Sequence, residues 1–545
     1  MYALLSFHSQ TAGLCTVEVP ASGGTFVEGF VGAPQHLNPL LSDPFPVDRA
    51  VTSLIFDGLT RYDKEGVLVP ALAQSWNVSD DGLSVRFKLR DDVMWHDGEL
   101  FSAKDVVFTY RLLQDDAFPG SPAVKMLWQS VTIRQIDDLT VEFSLEEPYA
   151  PFLDATTRGI LPAHLLNGVS AAEVADDPFN TTPVGTGPFV VESGQNWRQM
   201  GRLRLSPNPM YWRQGTQIAE IELRFYPDME TMIEAYRAGD LHALNEISPQ
   251  DLPEADALPG IRLFTAAAPR YTALFFNLTD SGFSGLQARE TRQALAYALD
   301  RGRLVDDVLN GQGLPLEGPY LPSSWAYEPG LLTPYASRPI SATTLLKESG
   351  WVLPEGSRVR QQEDARFSIQ LLALDEPVHA ALARQIATQW AAVGVEVAPT
   401  LVSDFGEFRQ ALAERAFDVA LVDITPPGDP DLYDFWSQEA IIRGQNYTGW
   451  NNRRASEALE AARQTWNMSE RRPYYESFLR YFDNDLPALT LFQYTTTYAL
   501  SDKVHQAEIG RITHPRDRFE TFADWFLLYR EVSVECSEDG TIEGG

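Results

Sequence analysis

The stretch from Leu54 to Tyr110 constrains the fold of this 545-residue chain more than any other segment. Ser79 to Gly82 is a turn cluster, because Asp side chains hydrogen-bond their own backbone and glycine tolerates a positive φ. Apolar and polar residues then alternate from Leu83 to Leu89, as in a half-buried strand. Ser102 begins the next helix as its N-cap, with Asp105 as a short-chain variant of the capping box. The stretch predicts paired strands and a capped helix, without a nucleophile motif, metal cluster or phosphate loop.

Short motifs in this stretch and beyond it resemble the signature of one known family. They are, in chain order, Phe56-Asp57-Gly58-Leu59, Pro70-Ala71-Leu72-Ala73, Ser75-Trp76, Trp95-His96-Asp97-Gly98-Glu99, Phe101-Ser102-Ala103, Asp105-Val106-Val107, Gly185-Thr186-Gly187-Pro188-Phe189, Pro207-Asn208-Pro209-Met210-Tyr211-Trp212, Tyr447-Thr448-Gly449-Trp450 and Leu486-Pro487. The family is the extracellular solute-binding proteins of the oligopeptide, dipeptide and nickel type (family 5), which are receptors of ABC importers. The resemblance runs from about Gly24 to Phe526, nearly the whole chain.

The resemblance implies an α/β fold of the periplasmic-binding-protein type II class (cluster C), with two lobes around a cleft and an inserted third domain. The length agrees, because 545 residues are too many for a single core. We expect an N-terminal tail (1–22), a discontinuous lobe I (23–60, 185–269 and 495–530), an inserted domain II (61–184), a lobe III (270–494) and a C-terminal tail (531–545). Two crossings between the lobes would form a hinge, which predicts closure around a ligand.

Net charge and cysteine content limit the partners and the compartment. A net charge of −32 repels nucleic acid and anionic lipid, so we expect neither as a partner. No apolar run approaches the roughly 20 residues that span a bilayer. Cys15 and Cys536 fit no metal spacing, and both a disulfide and two free thiols remain open. The resemblance implies an extracytoplasmic location, and we expect tethering to the membrane by a segment absent from this chain.

Catalysis has little support in the sequence. There is no GxSxG elbow, HExxH motif or Walker loop, and the eight histidines are scattered singly, which argues against a metal site and a nickel ligand. We therefore expect no enzyme activity, cofactor or metal. A glycosidase using two carboxylates is the alternative from a different class, because it requires no fixed motif. As partners the resemblance implies a small solute and an ABC permease with its ATPase subunits, and we expect a monomer.

Candidate ligand-binding residues combine aromatic rings with a few directed polar groups, as pocket walls do. The segment from Asp423 to Trp436 follows an apolar strand and offers that combination, and the resemblance adds positions beside the cleft. Arg270 could bind a ligand carboxylate bidentately, although an exposed loop arginine explains it equally well. The full set is Asn38, Asn245, Glu246, Arg270, Tyr271, Asp423, Thr425, Asp429, Tyr433, Trp436, Asn446, Trp450 and Tyr494.

Two features of this set leave the ligand open. In peptide-binding relatives a carboxylate just after the apolar strand pairs with the α-amino group of the ligand, but Pro426 occupies that position here. Asp423 and Asp429 are the candidate substitutes. Trp436 suits either a cleft wall or the core beneath it. We favour an oligopeptide or dipeptide, and an oligosaccharide stacked on Trp436, Tyr433 and Trp450 is the alternative.

Overall fold

The computed structural model describes residues 13–43, 45–63, 66–120, 122–509, 518–519 and 521–536. Its strands are β1 (Gly13–Ala21), β2 (Thr25–Val31), β3 (Thr60–Tyr62), β4 (Leu68–Pro70), β5 (Ala73–Val78), β6 (Ser84–Leu89), β7 (Thr132–Asp137), β8 (Thr140–Ser144), β9 (Phe189–Val191), β10 (Arg202–Pro207), β11 (Glu220–Tyr226), β12 (Ala243–Ile247), β13 (Ile261–Phe276), β14 (Gly313–Pro315), β15 (Gln361–Gln362), β16 (Ala365–Arg366), β17 (Ser368–Leu374), β18 (Glu396–Val402), β19 (Val419–Ile424), β20 (Ala488–Ser501) and β21 (Leu528–Cys536).

The α-helices alternate with these strands through much of the chain. They are α1 (Pro46–Ile55), α2 (Ala103–Gln114), α3 (Pro122–Gln129), α4 (Phe152–Ala155), α5 (Ala163–Leu166), α6 (Trp197–Met200), α7 (Met229–Arg237), α8 (Leu252–Asp256), α9 (Arg289–Tyr297), α10 (Arg301–Leu309), α11 (Pro339–Glu348), α12 (Pro377–Ala391), α13 (Phe405–Glu414), α14 (Tyr433–Trp436), α15 (Ala440–Arg443), α16 (Arg453–Gln464) and α17 (Met468–Asp485). Among the described helices, none is both long and apolar enough to cross a membrane.

One large mixed sheet organises the two lobes. Its strand order is β18-β17-β19-β13-β20-β12-β2-β11-β10-β9, with β14 paired to β20 beside this row. In the half that belongs to lobe III, β17 runs parallel to β18 and β19, whereas β13 is antiparallel to β19. Side chains on the two faces of β13 and β19 alternate between two separate hydrophobic cores. Strands buried on both faces need continuous apolar runs, which explains the sequence of β19.

The strands β13 and β20 connect the two lobes directly. β13 has 16 residues and β20 has 14, and they pair antiparallel along most of their length. β20 pairs with β12 at one end, while β13 pairs with β19 at the other. Their register shifts between Ala267 and Tyr271, where the ladder is interrupted. The crossings expected at 269/270 and 494/495 fall inside these strands, and hinge motion there stays a prediction.

The inserted domain is built as its local signals predict. β5, β6, β8 and β7 form a four-stranded antiparallel sheet, and β7 and β8 form a hairpin whose turn is Asp138-Leu139. Helix α2 begins at Ser102 with a capping box, in which the Asp105 side chain accepts from the Ser102 backbone N–H at 2.9 Å. The aromatic rings of Tyr110 and Trp128 stack at 4.0 Å in the core below this sheet.

The two ends of the chain meet in a two-stranded ribbon. β1 and β21 pair antiparallel, with Cys15 opposite Val534 and Cys536 opposite Gly13. Residues 13–21 and 531–536, which we assigned to tails, are thus strands. The side chains of both cysteines lie outside the described residues.

Candidate ligand-binding cleft

Asp423 is the charged group at the carboxyl end of β19, close to the crossing strands. In open α/β sheets this edge is where ligands bind. Its Oδ1 accepts a hydrogen bond from the Thr272 hydroxyl at 2.6 Å, and the Tyr494 hydroxyl lies 3.4 Å from both carboxylate oxygens. Because Thr272 pairs with Asp423 across the β13–β19 ladder, the sheet register itself brings these groups together. The Asp423 side chain keeps 23% of its surface exposed.

Asp423 is ionised at neutral pH in this setting. Burial raises the pKa of its carboxyl, but the neighbouring His379 and Arg270 and the hydrogen bond from Thr272 together lower it further, to below its usual value. A carboxylate held by hydroxyl groups and still partly open to solvent is suited to receive a cationic group of a ligand.

The start of helix α12 forms a second side of this site. α12 follows β17, which pairs with β19, so Glu376 and His379 lie at the same edge of the sheet as Asp423. His379 Nε2 lies 3.2 Å from Asp423 Oδ1, and His379 Nδ1 lies 3.5 Å from Glu376 Oε1. His379 is buried, with 1% of its side chain exposed, whereas Glu376 is 48% exposed. Sequence analysis missed Glu376, His379 and Thr272. The Glu-x-x-His spacing, with Glu376 at the N-cap of α12 and His379 in its first turn, is the local signal that could have found two of them.

Arg270 adds a positive group beside the carboxylate. Its guanidinium carbon lies 4.0 Å from the centre of the Tyr494 ring, in a cation–π arrangement. Across the described ranges, it forms no ion pair with an acidic side chain. Arg270, Asp423 and Tyr494 are therefore the predicted site residues that the structure brings together.

Asn245 and Glu246 lie on the opposite lobe at an irregularity in β12. The register against β20 shifts between Leu244 and Ile247, and Glu246 has a φ of 54°. Non-glycine residues in this left-handed region are uncommon, and a bulge re-aims the side chains of its strand. Glu246 is exposed and Asn245 half-buried. Their contact with a ligand stays a prediction.

The acids in the loop after β19 differ from Asp423 in their partners. Asp429 accepts two hydrogen bonds of 2.7 Å from the guanidinium of Arg471, and Asp431 accepts one of 2.7 Å from Arg463. These carboxylates are already neutralised inside the protein. Asp429 is therefore used structurally, which leaves Asp423 as the candidate substitute for the carboxylate that Pro426 replaces. Thr425 in the same loop is exposed, and its role stays a prediction.

Three predicted aromatic residues lie away from Asp423. Trp436 is 1% exposed and packs on Phe275 and Phe482, with ring centres 5.1 and 4.9 Å apart. Phe275 belongs to the face of β13 opposite Thr272, because side chains alternate along a strand. Trp450 donates to Asp485 Oδ2 at 2.9 Å within this core, and Tyr271 is fully buried there. These three side chains pack in lobe III and do not line the cleft.

The side chains of two predicted asparagines and one predicted tyrosine also interact with other residues of the protein. Asn38 is buried, and its amide donates to Asn180 Oδ1 at 2.9 Å while its carbonyl oxygen accepts from the Leu40 backbone. Asn446 is buried and donates to the carbonyls of Ser437 and Trp450, both at 2.9 Å. Tyr433 lies under the Arg463 guanidinium at 4.1 Å. Burial and saturated hydrogen bonds make Asn38 and Asn446 structural, contrary to expectation.

The inserted domain contacts lobe III across the interlobe space. The Ala150 N–H donates to the Arg463 carbonyl at 2.8 Å, and the Trp466 indole N–H donates to the Gly82 carbonyl at 3.1 Å. The Arg463 guanidinium also lies 5.2 Å from the centre of the Tyr149 ring. These contacts hold the two parts close together in this conformation.

Removing the Trp466 hydrogen bond should weaken ligand binding. Trp466→Phe deletes the indole N–H while keeping an aromatic ring, so it destabilises the conformation in which the inserted domain contacts lobe III. A net hydrogen bond of about 0.5–1.5 kcal/mol corresponds to an affinity loss of about two- to tenfold. Isothermal titration calorimetry with a ligand of the protein would measure the affinity, with the melting temperature of the ligand-free protein as the control. Unchanged affinity would show that this contact does not contribute to the ligand-bound conformation.

The fold and the cleft together define a class, the two-lobed receptors that hold a solute between their lobes. A family model described as bacterial extracellular solute-binding proteins, family 5 Middle, matches residues 67–440. Because this is more than half of the chain, the protein belongs to the bacterial extracellular solute-binding proteins of family 5. The family consists of substrate-binding receptors. The predicted family and fold class, α/β of the periplasmic-binding-protein type II class, are confirmed.

Individual relatives extend over nearly the full chain. The protein is 27% identical over 527 residues to the oligopeptide-binding protein AppA of Bacillus subtilis, covering 93% of this chain and 92% of that protein. It is 25% identical over 507 residues to the dipeptide-binding protein of Escherichia coli, covering 87% of this chain and 90% of that one. The solved structure of the ABC transporter substrate binding protein CtaP of Listeria monocytogenes superposes with a TM-score of 0.79 at 22% identity, covering 93% of this chain and 99% of that chain.

Proposed function

We propose that this protein captures short peptides with a free amino terminus between its two lobes and delivers them to the membrane permease of an ABC importer. The observation that carries this proposal is the state of Asp423. Its carboxylate lies at the ligand-binding edge of the sheet, is ionised, and has no arginine or lysine ion-paired to it among the residues described. A peptide ammonium group would supply the missing positive partner.

The names of the relatives point to the same solute class. Two of them are an oligopeptide-binding and a dipeptide-binding protein, at 27% and 25% identity. Arg270 supplies a cation in the same cleft for a ligand carboxylate or carbonyl oxygen. Main-chain hydrogen bonds would contribute the remaining affinity, as in other proteins that hold extended peptides.

An oligosaccharide ligand has weaker support. Sugar binding would need exposed aromatic platforms, and two of the three proposed rings, Trp436 and Trp450, are buried in the core of lobe III. The third, Tyr433, lies under an arginine side chain. The proposal is therefore a peptide rather than a sugar.

Cellular context follows from this receptor role. The protein would act outside the cytoplasm, tethered to the membrane, as a monomer that presents its closed form to the permease. The permease carries the ATPase subunits, and the receptor itself catalyses no reaction.

Native mass spectrometry of the freshly purified protein tests the proposal directly. We expect the mass of the folded protein to exceed that of the chain, and denaturation to release a ladder of short peptides whose masses shift on amine-specific dimethylation. The control is protein unfolded and refolded without ligand, which should show the chain mass alone and regain mass when a peptide mixture is added. Release of a sugar, or no gain of mass with peptides, would contradict the proposal.

A further inference from the structure

We propose that Glu376, His379 and Asp423 form a binding site for a divalent transition-metal ion of the zinc class, with a coordination position open toward the cleft. One ligand atom from each of the three side chains lies within 4.8 Å of the other two. The site goes beyond the proposed peptide binding and does not depend on it. Asp423 belongs to both sites, so a bound ion and a peptide ammonium group would compete for its carboxylate.

The separation of the donor atoms suits a tetrahedral metal. Two ligands about 2.1 Å from a zinc ion at the tetrahedral angle are about 3.4 Å apart. His379 Nε2 and Asp423 Oδ1 are separated by 3.2 Å, close to that spacing. Glu376 is the N-cap residue of α12 and precedes His379, in the first turn of that helix, by three residues; di-metal helix bundles also use a Glu-x-x-His spacing. Glu376 Oε1 lies 3.5 Å from Nδ1, the other ring nitrogen of His379, so the exposed Glu376 side chain would have to turn toward Nε2 to complete a three-ligand set.

The hydrogen-bonding state of His379 is the independent observation for a ligand. Its side chain is 99% buried, and carboxylate oxygens lie 3.2 and 3.5 Å from its two ring nitrogens, but within the described part of the chain neither nitrogen has the alignment of a hydrogen bond. Buried polar groups in proteins are almost always satisfied, so an unsatisfied imidazole facing two carboxylates needs an explanation. A metal ion uses the nitrogen lone pair without requiring N–H···O alignment.

Surrounding groups fix the orientation of the carboxylate and restrict the kind of ion. The Thr272 and Tyr494 hydroxyls orient Asp423, as outer partners of metal ligands commonly do. Arg270 and the positive N-terminal end of helix α12 repel cations, so a cation bound only by electrostatic attraction to the carboxylates is disfavoured here. The site therefore disfavours Mg²⁺ and Ca²⁺, and it favours an ion that gains from an imidazole nitrogen, such as Zn²⁺.

Calorimetric titration of ZnCl₂ into the full, untagged, chelator-treated protein tests the site. We expect one saturable zinc site, with Mg²⁺ and Ca²⁺ giving no comparable heat. Glu376→Gln and His379→Gln should each lower the zinc affinity by about 10–100-fold, the range typical of disturbed metal sites. Glu376 is half-exposed, so its variant should fold even if the variant of the buried His379 does not.

The matched control is a second histidine–carboxylate pair, which has no third ligand beside it among the residues that the structure describes. His164 Nε2 lies 2.9 Å from Asp97 Oδ2 on the surface of the inserted domain. His164→Gln should leave zinc affinity unchanged. Replacement of Zn²⁺ by Co²⁺ should give the visible absorption of a four-coordinate ion in wild type and lose it in Glu376→Gln.

Two results would overturn the metal site. One is the absence of saturable zinc binding by the wild-type protein. The other is equal zinc affinity in wild type, Glu376→Gln and His379→Gln. Titration of a peptide into the chelator-treated wild-type protein, with no zinc present, separates the metal site from the proposed function. Failure of peptide binding in wild type would contradict the latter alone.

Discussion

Trp436→Ala is expected to lower the free energy of unfolding of lobe III by about 3–5 kcal/mol, the cost of removing a large aromatic side chain from a packed core. The indole is 1% exposed and touches rings from two other elements, Phe275 on β13 and Phe482 on α17. Deleting it leaves a cavity between the sheet and that helix. Urea denaturation of the ligand-free protein, followed by far-ultraviolet circular dichroism, would measure the change.

The control for this variant is an aromatic residue on the exposed side of α17, the helix against which Trp436 packs. Tyr474 keeps 39% of its surface exposed, and Tyr474→Ala should change the unfolding free energy by less than about 1 kcal/mol. At a temperature where Trp436→Ala is folded, its peptide affinity should match wild type. A fall in affinity at unchanged stability would instead place the indole in the cleft wall.

The position of Trp436 illustrates what the sequence could and could not predict. A loop rich in Asp, Pro and aromatic residues after an apolar strand predicts a position near the sheet edge, and β19 and α14 are where this pattern indicates. Which face of the sheet the indole packs against depends on the alternation along β13 and on the placement of α17. The sequence near residue 436 determines neither of these, so it was equally compatible with a position of Trp436 in the cleft wall and a position in the core.

The elements themselves were predicted most closely where their signals are local. The alternating run from Leu83 to Leu89 and the capping box of Ser102 and Asp105 involve residues only a few positions apart, and the structure contains both, the run as strand β6. The Asp423 site is different. His379, Thr272 and Tyr494 come from separate strands and a helix, and only the strand order β17-β19-β13-β20 makes them neighbours. Apart from the Glu-x-x-His spacing of Glu376 and His379, the sequence therefore gave no sign of this cluster.

Asp423→Asn should lower the affinity for a peptide with a free amino terminus by about 10–100-fold, or about 1.4–3 kcal/mol, as expected for a hydrogen bond to a charged group. The amide keeps the size of the side chain and still accepts from the Thr272 hydroxyl, so the site should stay intact. Calorimetric titration at pH 7 with one peptide would give the dissociation constants of both proteins.

The control variant removes the same unit of charge from an exposed position on the same lobe. Asp280→Asn should leave the affinity within about twofold, since charges in solvent are screened. The matched ligand is the same peptide with an acetylated amino terminus, which should bind wild type about as weakly as the free peptide binds Asp423→Asn. Acetylation of the peptide should then change its affinity for Asp423→Asn little, because the ion pair between the amino group and the Asp423 carboxylate is already absent from this variant. If Asp423→Asn weakened both peptides equally, the carboxylate would shape the cleft without reading the amino group, and another acid, such as Glu246 on the opposite lobe, would have to do so.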